Sequence, residues 1–272
     1  MDYNSEFYNA CSCGHLEVAK QLVKSYPQIN VSADDDRAFK SACLKGHLDV
    51  VKWLVESYPQ INISVNNNEA LRYTCQNGHL GVDKWLVDSY PQINISAGND
   101  FTFRYVCVNG HLEVARWLVE SYPQINVSAV EDFAFVFACS RGHLEVAKWL
   151  VESYPQINLS ADHDYAFRFA SSNGHLEVAK WLVESYPQIN VSARDNHAFR
   201  YVCEYGRLEV AKWLVESYPQ INIYALDNHA FRFACANSHL EVAKWLVEIR
   251  PYHYVLELDS SQTRILSWRI SE

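Results

Sequence analysis

The chain has 272 residues, 49% of them apolar and 20% charged, with a net charge of −9. That composition excludes a disordered chain. The negative charge argues against a general nucleic-acid binder, which needs a basic face to displace counterions.

The N-terminal stretch MDYNSEFYNACSCGHL has no basic region followed by an apolar run, so no secretory signal is expected. No window approaches about 18 uninterrupted apolar residues, so no membrane span is expected either. The protein is therefore read as cytoplasmic or otherwise intracellular. Asn-x-Ser recurs from Asn30-Val31-Ser32 to Asn190-Val191-Ser192. Without a signal peptide this pattern reads as a repeated loop, not as a set of glycosylation acceptors.

SYPQIN occupies residues 25–30, 57–62, 89–94, 121–126, 153–158, 185–190 and 217–222. A second anchor, Gly-His, keeps the same interval at Gly14, Gly46, Gly78, Gly110, Gly142, Gly174 and Gly206, with Ser238 in the eighth place and Arg207 in place of one His. A fixed period of this size signals a stacked repeat architecture.

Each unit divides into the same parts. Asn4, Asp36, Asn68, Asp100, Asp132, Asp164, Asn196 or Asn228 opens it, as a side chain expected to cap a helix start. In the seventh unit HAFRYVCEY follows, and Phe199, Val202 and Cys203 share one face of a short helix. Gly206 suits its left-handed end. LEVAKWLVESY is a second helix with Leu208, Ala211, Leu214 and Val215 on one stripe. Glu209 and Lys212 can pair across a turn, and Pro219 stops the helix near Tyr218. QINIYA alternates and suits an extended finger.

A helix pair of this size cannot bury its apolar face alone, whereas stacked pairs make one continuous core. The expected fold is an all-α solenoid of eight helix-turn-helix repeats over residues 1–248. Residues 249–272 form a separate cap. There Tyr252–Leu258 and Arg264–Ile270 read as two strands flanking Asp259-Ser260-Ser261-Gln262. At the other end Gln21 and Lys24 give the first repeat a polar outer face.

GHLEVAKWLV, followed by a loop ending in Ile-Asn, resembles the ankyrin repeat, and HAFRFAC at 229–235 resembles its TPLHLAA helix. The resemblance covers residues 4 to about 248. The aromatic first helix and the Lys-Trp-Leu-Val second helix are similar to the ankyrin arrays of giant DNA viruses. The chain departs from the family pattern in its 32-residue period and in lacking Thr-Pro. Arg or Lys replaces the TPLH histidine, or Val136 in one repeat, and only Gly98 stands where a finger glycine is expected. The resemblance also implies that the loop asparagines (Asn30, Asn62, Asn94, Asn126, Asn158, Asn190, Asn222) match those an asparaginyl hydroxylase can modify, each with a Leu eight residues earlier, such as Leu22 for Asn30.

Residues with chemistry follow the repeat. Cys11, Cys43, Cys75, Cys107, Cys139, Cys203 and Cys235 share one place. Stacked helices lie roughly 8–10 Å apart and disulfides need Cα atoms within about 7 Å. These cysteines are therefore read as small buried residues. Cys11 and Cys13 are too few for zinc. One Gly-His histidine per repeat (His15, His47, His79, His111, His143, His175, His239) cannot converge on one metal, so they read as turn-stabilising donors. The ladder Lys40, Arg72, Arg104, Arg168, Arg200 and Arg232 either grips an acidic partner or bonds carbonyls and capping residues. The second reading is preferred. The Trp row from Trp53 to Trp245 reads as packing between repeats.

Differences between repeats mark the candidate binding face, on the resemblance the concave one. They fall at the finger tips, Arg194 among them, just after the cap (Phe101, Phe133, Tyr165, His197, His229) and at the end of the first helix (Glu204, Tyr205). Exposed Phe101, Phe133 and Tyr165 are expected to form an aromatic anchor. No catalytic set, cofactor site or metal cluster stands outside the repeat. The expected function is a monomeric, non-catalytic module that binds a protein, with no nucleic acid, membrane or cofactor. The alternatives are an adaptor whose tail recruits machinery such as a ubiquitin ligase, or a structural virion component.

Overall fold

A computed structural model describes residues 2–270 apart from 62, 64, 160, 252, 253, 260, 263 and 264, and leaves the side chains of 65–68, 161–163, 265 and 266 undescribed. The expectations for Asn62, for the strand ends Tyr252 and Arg264, for Ser260 and for the side chains of Asn66, Asn67, Asn68, Asp162 and His163 lie outside the described residues.

Each repeat contributes two helices. The first helices are α1 (Tyr3–Ser12), α3 (Ala33–Lys45), α5 (Val65–Gln76), α7 (Ala97–Val108), α9 (Ala129–Ser140), α11 (Ala161–Asn173), α13 (Ala193–Glu204) and α15 (Ala225–Ala236). The second helices are α2 (Leu16–Ser25), α4 (Leu48–Ser57), α6 (Leu80–Ser89), α8 (Leu112–Ser121), α10 (Leu144–Ser153), α12 (Leu176–Ser185), α14 (Leu208–Ser217) and α16 (Leu240–Ile249). Two strands, β1 (Tyr254–Leu258) and β2 (Ile265–Ile270), pair antiparallel at the end of the chain.

The chain forms two compact units, Met1–Val130 and Glu131–Glu272. In the first, α1 packs on α3, α3 on α5 and α5 on α7. In the second, α11 packs on α13 and α13 on α15. The core repeats with the sequence. Phe7, Phe39 and Phe103 in the first unit, and Phe135, Phe167, Phe199 and Phe231 in the second, are all but inaccessible. Each is worth about 1.5–3 kcal/mol of burial. Leu54, Leu86 and Leu118, then Leu150, Leu182, Leu214 and Leu246, line the second helices at zero exposure. The second helices end one residue before Tyr, or before Arg250 in α16, as the Pro that follows requires.

The finger differs from expectation. It is a path of consecutive turns, not a strand: the Ile221 N–H bonds the Tyr218 carbonyl at 3.0 Å and the Ala225 N–H bonds the Asn222 carbonyl at 3.2 Å. Three successive residues then adopt the left-handed conformation. They are Asp34-Asp35-Asp36, Gly98-Asn99-Asp100, Val130-Glu131-Asp132, Arg194-Asp195-Asn196 and Leu226-Asp227-Asn228, with φ between 50° and 66°. Such residues cost roughly 1–2 kcal/mol each outside glycine, so something must hold the tip.

The opening Asp or Asn is the third of these residues, and it does not cap its own helix as expected. Asp2, not Asn4, caps α1. From its left-handed position the side chain reaches the loop at the far end of its own repeat and accepts the backbone N–H of the loop asparagine. The bonds are Asn126 to Asp100 (3.1 Å), Asn158 to Asp132 (3.0 Å), Asn190 to Asp164 (3.0 Å) and Asn222 to Asn196 (3.2 Å). Asn30 bonds Asn4 at 3.0 Å in the same way. Every one of these pairs is 26 residues apart. In the last repeat Asn228 accepts instead from the Tyr254 hydroxyl, at 3.0 Å and again 26 residues on. β1 thus seats a tyrosine where the other repeats place their own loop asparagine. Tyr254 is 1% exposed and stacks on Phe231 at 4.1 Å.

Candidate protein-binding face

The turn between the two helices is a joint between repeats. Gly142 has φ 83°, and a Cβ there would meet the His175 ring at 2.5 Å. Glycine is needed both for the backbone angle and for the ring's approach. The His111 Nε2 lies 2.9 Å from the Gln76 carbonyl, and His47 and His79 make the same contact with Ser12 and Leu44. A carbonyl only accepts, so Nε2 carries the proton. Burial lowers the pKa of His111 and His175. Among the described residues no group of three or more His, Cys, Asp or Glu side chains is placed to hold a metal ion.

The cysteines are all unpaired, and every one but Cys13 is buried. Burial pushes the thiols of Cys11 and Cys235 up to about 12 and the other buried ones higher still, so they stay protonated and unreactive at neutral pH.

The basic ladder meets the left-handed tips. Arg104 donates to the carbonyls of Asn99 (3.0 Å) and Gly98 (3.1 Å). Arg200 donates to those of Asp195 (2.8 Å) and Arg194 (3.1 Å). Arg232 bonds the Asp227 carboxylate at 2.8 Å, and Lys40 pairs with Asp35 and with Glu69. Arg72 instead lies 5.1 Å from the Phe101 ring centre. Arg104, Arg168 and Arg200 are buried. The Trp row makes its ring contact chiefly within its own repeat: Trp213 meets Tyr218 edge-on at 5.6 Å, and Trp181 meets Tyr186 at 5.7 Å. Trp53 also reaches a neighbour's ring, Phe7 at 6.4 Å.

The rings expected to stand exposed are half-buried, because each lies flat on a second ring one turn later. The pairs are Phe101 on Tyr105 (4.2 Å), Phe133 on Phe137 (4.2 Å) and Tyr165 on Phe169 (4.0 Å). His197 on Tyr201 (4.1 Å) and His229 on Phe233 (4.2 Å) continue the series. Phe101 belongs to the first unit, and the other four pairs belong to the second. The open surface lies at the rim: Tyr205 is 44% and Phe233 37% exposed, and Arg194 is exposed at its tip. Glu204 sits 3.5 Å from the His229 Nε2. The ring partners Tyr105, Phe137, Phe169, Tyr201 and Phe233 went unread in the sequence, although an aromatic residue four places after each variable ring was the signal.

Asp83 also went unread. It stands where other repeats carry Ala19, Ala115 or Ala179, and it is completely buried. Thr74 and Cys75 lie beside it and soften its desolvation, yet neither carboxyl oxygen has a hydrogen bond of ordinary geometry. The Thr74 hydroxyl is spent on the Leu71 carbonyl at 2.9 Å. Burial raises the Asp83 pKa to about 7. Superposing the repeats would have exposed this one carboxylate in an alanine column.

Helix pairs joined by a glycine turn, stacked and bonded repeat to repeat, define a helical repeat protein. A family model described as "Ankyrin repeats (many copies)" matches residues 135–183 and 197–247, and one described as "Ankyrin repeats (3 copies)" matches residues 4–67. Together they span more than half of the chain, which belongs to the ankyrin repeat family. A crystal structure of the human ASB11 ankyrin repeat domain is similar at 19% identity and a TM-score of 0.49, covering 71% of this chain and 89% of that one. Comparison with the curated proteins found no match. Ankyrin repeats are in general protein–protein interaction modules, typically without enzymatic activity. No helix among the described residues is long and apolar enough to cross a membrane.

Proposed function

We propose that the chain is a monomeric, non-catalytic interaction module inside the cell. It takes a protein partner, and no nucleic acid, on the face formed by the first helices and the left-handed tips. One observation carries this reading. Bonds between repeats use the recurring Gly-His turns, and the loop asparagines close each repeat on itself, while the differences collect on the ring pairs and tips, which those bonds leave available. Affinity then comes from a surface held rigid before binding. On this reading the arginine ladder is structural, residues 1–248 are the working array, and the tail from 249 is its end cap. The aromatic first helices and Lys-Trp-Leu-Val second helices further suggest an array of the giant-virus type.

The test is quantitative capture from the source cell with Phe101/Phe133/Tyr165→Ala and Trp268→Ala as baits beside the parent chain. A saturable partner lost only with the triple variant supports the module; binding unchanged by it contradicts that face. An adaptor is the second reading, favoured by Trp268, which is 37% exposed on β2. Loss with Trp268→Ala alone selects it. Tyr254 stays in place in that variant, so the last repeat keeps its cap.

A further inference from the structure

In α11, α13 and α15 the ring pairs form one column, with imidazoles set between phenyl and phenol rings. The His197 ring centre lies 6.3 Å from Phe169, and the His229 centre lies 5.6 Å from Tyr201. The Nδ1 atoms of both histidines are enclosed and make no hydrogen bond.

The two histidines differ in what faces them. His229 has a carboxylate beside it, Glu204, reaching from α13. Its cationic neighbours are Arg200 and Arg232, and Arg232 is itself engaged by Asp227. The place equivalent to Glu204 beside His197 holds Ser172, a small side chain whose hydroxyl bonds its own helix at the Phe169 carbonyl, 3.3 Å away. The charges that act most strongly on His197 are all positive: Arg168 from α11, Arg200 and Arg194 from α13, and His229 from α15. Burial first, and then these cations, push its pKa down to about 4. The chain thus builds an anion seat twice and fills it once.

Resting on the interaction-module reading above, we propose that the seat at His197 receives a carboxylate side chain from an acidic partner peptide. The carboxylate takes the place that Glu204 takes at His229, and Arg194 at the exposed tip supplies the nearest outer charge. Tyr205 and Phe233 at the rim offer apolar contact to the neighbouring peptide residues. A peptide side chain fits this combination better than a free anion does, because a free anion uses none of the rings.

Filling the seat raises the affinity of His197 for a proton, so binding takes up a proton as pH falls. One proton gives at most about a tenfold gain in affinity per pH unit. The experiment uses the full chain with a fluorescein-labelled peptide of repeated Glu-Ala-Tyr, its Lys-Ala-Tyr counterpart, and inorganic phosphate. Anisotropy and the imidazole NMR signals are followed from about pH 7.5 to pH 5.5. Saturable binding of the acidic peptide is expected, tightening about tenfold over that range, with the His197 signals shifting. His197→Phe places there the ring that Phe101 and Phe133 already carry at the same repeat position, so the fold is kept while the pH dependence disappears. Arg194→Glu weakens binding about tenfold or more at every pH. Ser172→Glu fills the seat from within and blocks the peptide.

Equal binding of the basic peptide, indifference to His197→Phe and Arg194→Glu, or phosphate shifting His197 as readily as the peptide would each overturn the proposal. If the cellular partner is still captured by His197→Phe while the acidic peptide fails, the module reading stands and the acidic seat falls.

Discussion

In the fifth, sixth and seventh repeats the second helix reads LEVAKWLVES without a change, while the first helices read FAFVFACS, YAFRFASS and HAFRYVCE. The two halves of the repeat meet different demands. The second helix presents the same leucine to the same core and begins at the joint where His, or Arg207 in the seventh repeat, packs on the preceding glycine turn. In the first helix Phe135, Phe167 and Phe199 are fixed in the core, whereas the outward pair changes from Phe-Phe to Tyr-Phe to His-Tyr while keeping its stacking. Constancy follows the bonds between repeats, and variation follows the surface those bonds leave.

Asp83 is the largest exception on the constant side, and removing it gives the largest expected effect. Its folded pKa of about 7 exceeds the ordinary 3.8. The part of its burial cost that comes from ionisation is therefore absent below about pH 4, grows up to about pH 7, and is constant above that. The full penalty is about 4 kcal/mol. Asp83→Ala is expected to stabilise the first unit by about 4 kcal/mol more at pH 8 than near pH 3.5, measured by urea unfolding at both pH values. Equal effects at both would break the argument.

Gly142→Ala probes the joint from the opposite direction. It strains a left-handed backbone and drives a methyl against His175, for an expected loss of about 3 kcal/mol. The same change at Gly81, which has open space around it, is expected to be neutral or slightly stabilising. Arg200→Met, read by the same unfolding assay, removes two bonds from a strained tip and is expected to cost about 2 kcal/mol. Val136 already stands at that place in the fifth repeat, so the loss should fall short of unfolding. Tyr254→Phe keeps the stack on Phe231 and loses the bond to Asn228. About 1 kcal/mol is expected, seen as faster hydrogen exchange confined to α15.

The repeat boundaries, both helices of each pair, the glycine turn and the paired strands at the end of the chain could be read from spacing alone, because stacking imposes a period on the sequence. The finger could not. Alternation in QINIYA suggests a strand, but the peptide groups of Ile221 and Ala225 bond within their own loop, and among the described residues no strand pairs with them. The role of Asp100 was also hidden. A carboxylate before a helix reads as its cap, and the left-handed backbone turns it instead toward the loop at the end of its own repeat. On the candidate face the variable positions were visible as differences between repeats. Their stacking was not, since a ring judged alone by its place looks exposed.

The most direct test of the division between a binding half and a holding half swaps chemistry that the chain already accommodates. Tyr165→His with Phe169→Tyr gives the sixth repeat the ring pair of the seventh. Thermal unfolding and saturable capture of the cellular partner are then measured on the same preparation. The account predicts an unchanged melting temperature and a loss of capture. Unchanged capture, or a melting temperature that collapses with it, would contradict the claim that this face is free of the work of holding the repeats together.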